Sequence, residues 1–293
     1  YKRQDVINSK KHKKLAKKVA VKSIVLLKNK NNLLPLNKEI NTLFVTGPNA
    51  ANTNTLLGNY YGLSSEIITP LEGIVKKISN GTMVRYKMGV GINDQQTNRT
   101  EWSASLAGNS DATIAVMGIS ALIEGEEGAA ISSNANGDRS EIDLPSSQVD
   151  YIKTLRMKAG SKPIILVVNS GSALNLAEVE PYVDAILYAW YLGEQGGNAL
   201  AEIIFGDTNP SGKLPFTIPR SSDQLPDYKN YSMKNRTYRY MQYIPMYPFG
   251  FGLSYSQFKY SDLNFSDDLF HIGKSLKVSF EVSNISDKEA EEV

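Results

Sequence analysis

Four short, uninterrupted apolar runs constrain this chain most: LeuPheValThr at 43–46, AlaThrIleAlaValMetGly at 112–118, IleIleLeuValValAsn at 164–169 and AlaIleLeuTyrAlaTrp at 185–190. None alternates polar with apolar residues, so each reads as a strand buried on both faces. Segments of helical spacing lie between them, among them Ser146 to Lys158 and AsnAlaLeuAlaGluIleIlePhe at 198–205. Short buried strands alternating with helices predict an α/β fold, a layered α/β sandwich with a mostly parallel sheet. Upstream, helical spacing over roughly 10–28 runs into the apolar stretch Ile24 to Leu27. Beyond residue 205 the character changes to a Pro- and Gly-containing stretch at 207–219 and an irregular Tyr-rich wrap at 228–255. The alternating segment LeuLysValSerPheGluValSerAsn at 276–284 predicts a strand of an incomplete all-β module, because one or two strands cannot bury a core alone. The expected division is a linker helix at 1–30, a sandwich domain at 31–220, a wrap at 221–260 and the start of the β module at 261–293.

Composition narrows the chemistry. The 293 residues include no Cys, which removes disulfides, thiolate metal sites and thiol nucleophiles. The two histidines, His12 and His271, are far apart in sequence and lack metal-motif spacing, so histidine-based catalysis is not expected. Carboxylates, hydroxyls, Lys and Arg remain. The net charge of +2 hides an asymmetry: residues 1–38 carry twelve Lys and Arg against one acid. A polybasic start suits nucleic acid or an anionic membrane. Here the Lys residues at 10–14, with Lys17, Lys18 and Lys22, read instead as the wet face of a helix whose other face is Leu15, Ala16, Val19 and Ala20, and no aromatics are interleaved for base stacking. No stretch reaches the roughly 18 apolar residues of a membrane span. The opening TyrLysArgGln is not a signal peptide and lacks an initiator Met, and the closing GluAlaGluGluVal stops abruptly, so the chain reads as a piece of a longer protein.

In a parallel sheet, ligands collect beyond the carboxyl ends of the strands. The acidic segment there is IleGluGlyGluGluGly at 123–128, followed by GlyAspArg at 137–139 and AspLeuPro at 143–145. Three carboxylates within four residues, Glu124, Glu126 and Glu127, repel one another and raise at least one pKa, as a general acid working near neutrality requires. Read locally, the plainer alternatives are a solvated acidic loop or a calcium site. Asp111 is expected to open a strand, and Asp138 to pair with Arg139 or cap the next helix. GlyProAsnAla at 47–50 matches neither phosphate-loop pattern. Ser170 in AsnSerGly at 169–171 reads as a turn former, since no His partner is at hand. The run Tyr238, Tyr240, Tyr243, Tyr247, Phe249, Phe251 and Tyr255 offers a sugar-stacking wall or a packed wrap, and its Pro residues favour the wrap.

Eight segments in order resemble a known family: ValLysSerIleValLeuLeuLysAsn (21–29), LeuPheValThrGlyProAsnAla (43–50), LeuGlyAsnTyrTyrGly (57–62), ThrProLeuGluGlyIle (69–74), the Glu/Gly loop through GlyAspArg, AspLeuPro and Gln148 (124–148), AlaTrpTyrLeuGlyGluGlnGlyGlyAsnAlaLeu (189–200), PheGlyAspThrAsnProSerGlyLysLeuPro (205–215) and TyrProPheGlyPheGlyLeuSerTyrSerGlnPhe (247–258). The order is similar to that in the C-terminal region of glycoside hydrolase family 3, through to the opening strand of a fibronectin type III-like domain. The resemblance implies a retaining exo-acting β-glycosidase. One carboxylate of such an enzyme attacks the anomeric carbon while a second, about 5–5.5 Å away, protonates the leaving oxygen and later activates water. The family places its nucleophilic Asp on an N-terminal (β/α)8 barrel and usually its acid/base Glu on the loop matched by 119–139.

No barrel is present in this chain, so it is expected to hold half an active site and to be inactive alone. Counting back from GlyAspArg selects Glu127 as acid/base, and counting forward from the strand selects Glu124; Glu127 is the first choice, with Glu126 tuning its pKa or binding sugar hydroxyls, and Arg139 with Asp138 organising the loop. The expected substrate is an oligosaccharide or aryl β-glycoside, of β-xylosidase or β-glucosidase type, and no metal or other cofactor is expected. The missing barrel is the expected partner, and the surface it leaves bare favours a homodimer in isolation. Neither nucleic acid nor a membrane span is expected, and the location expected is periplasmic or secreted. The competing class is a non-catalytic carbohydrate-binding or assembly module.

Overall fold

The computed structural model describes residues 6–58, 61–62, 64–94, 101–124, 139, 141–227, 229–269 and 271–293. In chain order the elements are α1 (Lys10–Ser23), β1 (Val25–Asn29), β2 (Thr42–Thr46), α2 (Pro70–Lys77), β3 (Met83–Lys87), α3 (Glu101–Gly108), β4 (Ala112–Gly118), α4 (Ala121–Glu124), α5 (Ser146–Ala159), β5 (Ile164–Asn169), β6 (Ala185–Tyr188), α6 (Gly196–Ile204), α7 (Thr237–Tyr240), β7 (Phe258–Phe265) and β8 (Val278–Asn284). Among the described residues, the first six strands make one sheet in the order β1-β6-β5-β4-β2-β3, parallel except for β1. This is the mostly parallel α/β sandwich that the four apolar runs predict. β4 and β5 are buried from end to end. Successive β4 residues feed opposite layers, Ala115 and Met117 joining α3 and α5, Ile114 and Val116 joining α1, α2 and α6.

The helical spacing read over 10–28 stops earlier than expected. Helix α1 ends at Ser23, and Val25–Asn29 pair antiparallel with β6 because Val25, Leu26 and Leu27 are buried on both faces. The buried side of α1 also differs. Ala20 and Val21 pack inward, whereas Leu15 and Val19 remain 58% and 60% exposed. The helix is turned so that Lys17 reaches Glu202 of α6 at 2.7 Å, which carries Leu15 and Val19 round to the outside.

Helices α2 and α6 cross almost backbone on backbone. A Cβ at Gly73 would lie 2.0 Å from the carbonyl oxygen of Gly197, and one at Gly197 would lie 2.0 Å from that of Thr69. Thr69 and Glu72 close a reciprocal capping box at the start of α2, which fixes where that crossing begins. The segment 207–219 then runs beside 246–256, with paired backbone bonds between Leu214 and the 250–251 turn and between Ile218 and Tyr247. Asn209 clamps the far end, accepting from Ser254 Oγ and the Tyr255 amide at 2.8 Å each. Leu253 donates to the Leu26 carbonyl at 2.8 Å and so ties the wrap to β1.

The aromatic run divides between the two roles considered for it. Tyr247 is buried and Phe251 packs against the core, and Tyr255 donates its hydroxyl to the Ile203 carbonyl at 2.8 Å. Tyr238, Tyr240, Tyr243 and Phe249 stay exposed, with Tyr238 stacked on Phe249. Strands β7 and β8 form a separate two-stranded antiparallel sheet, and every residue of β8 is exposed. Among the described residues no helix is long and apolar enough to cross a membrane.

Replacing Gly197 by Ala should prise α2 from α6. The expected loss is about 2–3 kcal/mol in urea unfolding. A loss under about 0.5 kcal/mol, the size of an ordinary surface change, would mean that the crossing is not constrained by backbone contact.

Candidate functional site

The strand order reverses between β2 and β4, because β3 lies on one side of β2 and the later strands on the other. That reversal is where an open α/β sheet usually offers a crevice. Here the crevice is filled by two fully buried side-chain amides. Asn49 donates to the Met117 carbonyl at 3.3 Å, and Gln148 brackets Gly118, accepting from its amide at 2.8 Å and donating to its carbonyl at 2.7 Å. Functional side chains gather one strand further along, beyond the carboxyl ends of β4, β5 and β6.

Glu124 ends the single turn of α4. Ser120 starts that turn, its carbonyl accepting from the Ile123 and Glu124 amides, and the buried Ile123 side chain pins it to the core. Both carboxylate oxygens of Glu124 are occupied: Oε2 accepts from the Tyr191 hydroxyl at 2.6 Å, and Oε1 accepts from Ser172 Oγ. Ser172 Oγ in turn accepts from Arg139 Nη2 at 2.8 Å. The chain Arg139–Ser172–Glu124–Tyr191 thus joins four separate segments.

Local geometry explains why these residues meet. After β5 the backbone turns on Ser170, whose Oγ donates to the Ser172 carbonyl at 2.7 Å and accepts from the Ser172 amide at 3.2 Å. Ser170 is therefore a buried turn former, as expected. Tyr188, the last residue of β6, also donates to the Ser172 carbonyl. Trp190 takes the left-handed conformation, φ +46°, which costs a bulky residue about 1–3 kcal/mol and turns Tyr191 back toward Glu124. It is held there by four contacts: its indole donates to the Ser23 carbonyl at 2.7 Å, its own carbonyl accepts from Asn169 at 2.8 Å, and its ring meets those of Tyr188 and Phe216 edge-on. Gly171 leaves room for the meeting, since a Cβ there would lie 3.0 Å from the Tyr191 ring and 3.1 Å from Glu124 Oε2.

The electrostatics suit a neutral donor facing a carboxylate. Burial first, then the hydrogen bond to Glu124 and its charge, push the Tyr191 hydroxyl far above the ordinary tyrosine value, and burial does the same for Tyr188. Both hydroxyls therefore stay protonated, and remain donors, through neutral and mildly alkaline pH. Among the described residues, Arg139 Nη1 is buried with no hydrogen-bond partner.

Of the residues singled out from the sequence, Glu124 and Arg139 are brought together through Ser172. Glu126, Glu127 and Asp138 lie outside the described residues. Asp111 sits away from the cluster and ties β2 to β4, its carboxylate accepting from both the Thr42 amide and hydroxyl at 2.9 Å. Ser172 and Tyr191 were not singled out by the sequence. The available signal was their place, three residues beyond β5 and three beyond β6.

Two lines of similarity meet this geometry. The family model for the glycosyl hydrolase family 3 C-terminal domain matches residues 24–255. A β-xylosidase of Formosa agariphila is 36% identical over 96% of this chain and 39% of its own length, and a periplasmic β-glucosidase of Salmonella typhimurium is 34% identical over 95% and 39%. In structure, a β-glucosidase from Erythrobacter marinus superposes with a TM-score of 0.82 at 32% identity, over 97% of this chain and 40% of that one. The chain belongs to glycosyl hydrolase family 3, as its C-terminal domain, and spans about two fifths of the length of these relatives.

The buried tyrosines make stability depend on alkaline pH. Tyr188, Tyr191, Tyr247 and Tyr255 are all pushed up by burial, so above the ordinary value of about 10 the unfolded chain sheds protons that the folded one keeps. Stability from these groups is complete below about pH 10 and is expected to fall as pH rises past it. Urea midpoints that drop on the alkaline side, with the phenolate absorbance of these four tyrosines appearing only on unfolding, would bear this out; phenolate from all the tyrosines in the folded chain would contradict it.

Proposed function

We propose that this chain is the C-terminal part of a retaining, exo-acting β-glycosidase of β-xylosidase or β-glucosidase type, and that its loop at 124–127 supplies the acid/base Glu. An Asp nucleophile would come from an N-terminal barrel of the same protein, with an oligosaccharide or aryl β-glycoside held between. The observation that carries this reading is Glu124, placed beyond β4 by a pinned helical turn and held by donors from the loops after β5 and β6. The Formosa and Salmonella relatives, a β-xylosidase and a periplasmic β-glucosidase, support the two substrate types and a periplasmic or secreted location.

Within the loop, Glu127 is the proton donor and Glu124 the anchor. A general acid must present a protonated oxygen to the leaving group. Both oxygens of Glu124 are already taken by protein hydroxyls, so neither is free to meet a leaving oxygen. Glu126, between them in sequence, would be the neighbour that raises the Glu127 pKa or binds sugar hydroxyls. Arg139 organises the loop through Ser172, with Asp138 beside it in sequence.

The barrel would cover the hollow of about 430 Å³ between α1 and the segment after β6, where Leu15, Val19, Tyr191 and Leu192 line the wall. In isolation the same face would support a homodimer, detectable by sedimentation. The sheet of β7 and β8 would be the start of a fibronectin type III-like domain, whose remaining strands would cover Phe280 and Val282.

The full-length protein tests the loop. Glu127→Ala should slow turnover of a glycoside with a poor leaving group by about 10²–10⁴-fold, the worth of a general acid, with azide restoring the rate. Glu124→Ala should lose activity without azide rescue. Wild-type turnover in all of the Glu124, Glu126 and Glu127 alanine variants would refute the loop assignment, and rescue of Glu124→Ala instead would exchange the two roles. The chain of 293 residues by itself should not hydrolyse a nitrophenyl β-glycoside faster than buffer.

A further inference from the structure

We propose that Tyr191 is a positioning residue for the acid/base loop, acting through Glu124 without touching the sugar; this rests on the reading of 124–127 as that loop. The Tyr191 hydroxyl donates to Glu124 Oε2 at 2.6 Å, while Ser172 holds the other oxygen. The two donors come from different strand ends, so together they fix both the place and the rotation of the carboxylate. Three residues of chain span at most about 10 Å, so fixing Glu124 bounds the volume open to a proton donor three residues further on. Without the pin, that volume grows and the proton donor spends less time against the leaving oxygen.

The fold spends several devices on this one contact. Trp190 is held in a left-handed conformation by Ser23 and Asn169 from two other elements, and this turns the Tyr191 ring over Gly171. Gly171 lets ring and carboxylate meet, because a Cβ would press on both at 3.0 and 3.1 Å. A tyrosine needed only to fill space would require neither the turned backbone nor the bare glycine. Its hydroxyl is pushed far above the ordinary tyrosine value by burial and by Glu124, so it remains a donor across the pH range in which a glycosidase works.

A positioning role predicts a loss confined to steps that need protonation. In the full-length protein, Tyr191→Phe keeps the ring and removes the donor. Its kcat on a phenyl glycoside is expected to fall about tenfold, against less than about twofold on a dinitrophenyl glycoside whose leaving group needs no acid, with KM within about twofold. Ser172→Ala, which keeps the backbone contacts of that turn, should show the same split. Added to Glu124→Ala, Tyr191→Phe should cost nothing more, since the two residues act as one unit.

Equal losses on both substrates, or full additivity with Glu124→Ala, would overturn the proposal and leave Tyr191 a packing residue. Wild-type rates for Tyr191→Phe on both substrates, where azide rescues Glu127→Ala, would overturn this inference alone. Absence of azide rescue in every glutamate variant would overturn the loop reading, and this inference with it.

Discussion

The parallel pairing of β4, β5 and β6 is the constraint on which the rest depends. Thr113 to Gly118 face Ile164 to Asn169 residue for residue, and Ile165 to Val168 face Ala185 to Tyr188. Three chains therefore leave the sheet at one edge within a few ångströms of one another, each carrying a short polar segment. A slip of one residue in any pair would turn every side chain to the opposite layer, exchanging the two cores. Burial on both faces is what forbids that slip, and so the same apolar residues that hold the sandwich together also set the register of the site.

Polar chemistry at this edge is arranged as a relay of donors ending on a carboxylate. Arg139 supplies the charge, Ser172 passes a hydrogen bond on, and Tyr191 closes the far side. Burial disfavours the ionised tyrosine, which keeps it a donor, while solvent reaches the cluster at Gly171, which is exposed. A carboxylate with its oxygens so engaged is well placed and poorly free, a combination suited to an anchor.

Legibility in the sequence followed the range of the interactions involved. The central strands were readable because a strand buried on both faces needs an unbroken apolar run, and that signal is local. The end of α1 was not, because Val25 to Leu27 suit a helix or a strand equally and only pairing with β6 decides between them. The wet and dry sides of α1 were misjudged for a similar reason: the ion pair from Lys17 to Glu202 joins residues 185 positions apart. In the aromatic run, Tyr247 and Tyr238 look alike in sequence and differ only in what the wrap lays over them.

By itself, the sequence determined the α/β class, the candidate acidic loop after the second apolar run and the family. Each of these depends on residue type and order along the chain. Only the tertiary structure decided that the crevice at the strand reversal is closed by Asn49 and Gln148, that the carboxylate sits one strand over, and that Ser172 and Tyr191 hold it. Ser172 and Tyr191 lie 48 and 67 residues from Glu124 in the chain, and they meet it because parallel strands deliver distant segments to the same edge. Nothing in the composition of a short segment can record a partner supplied by another strand.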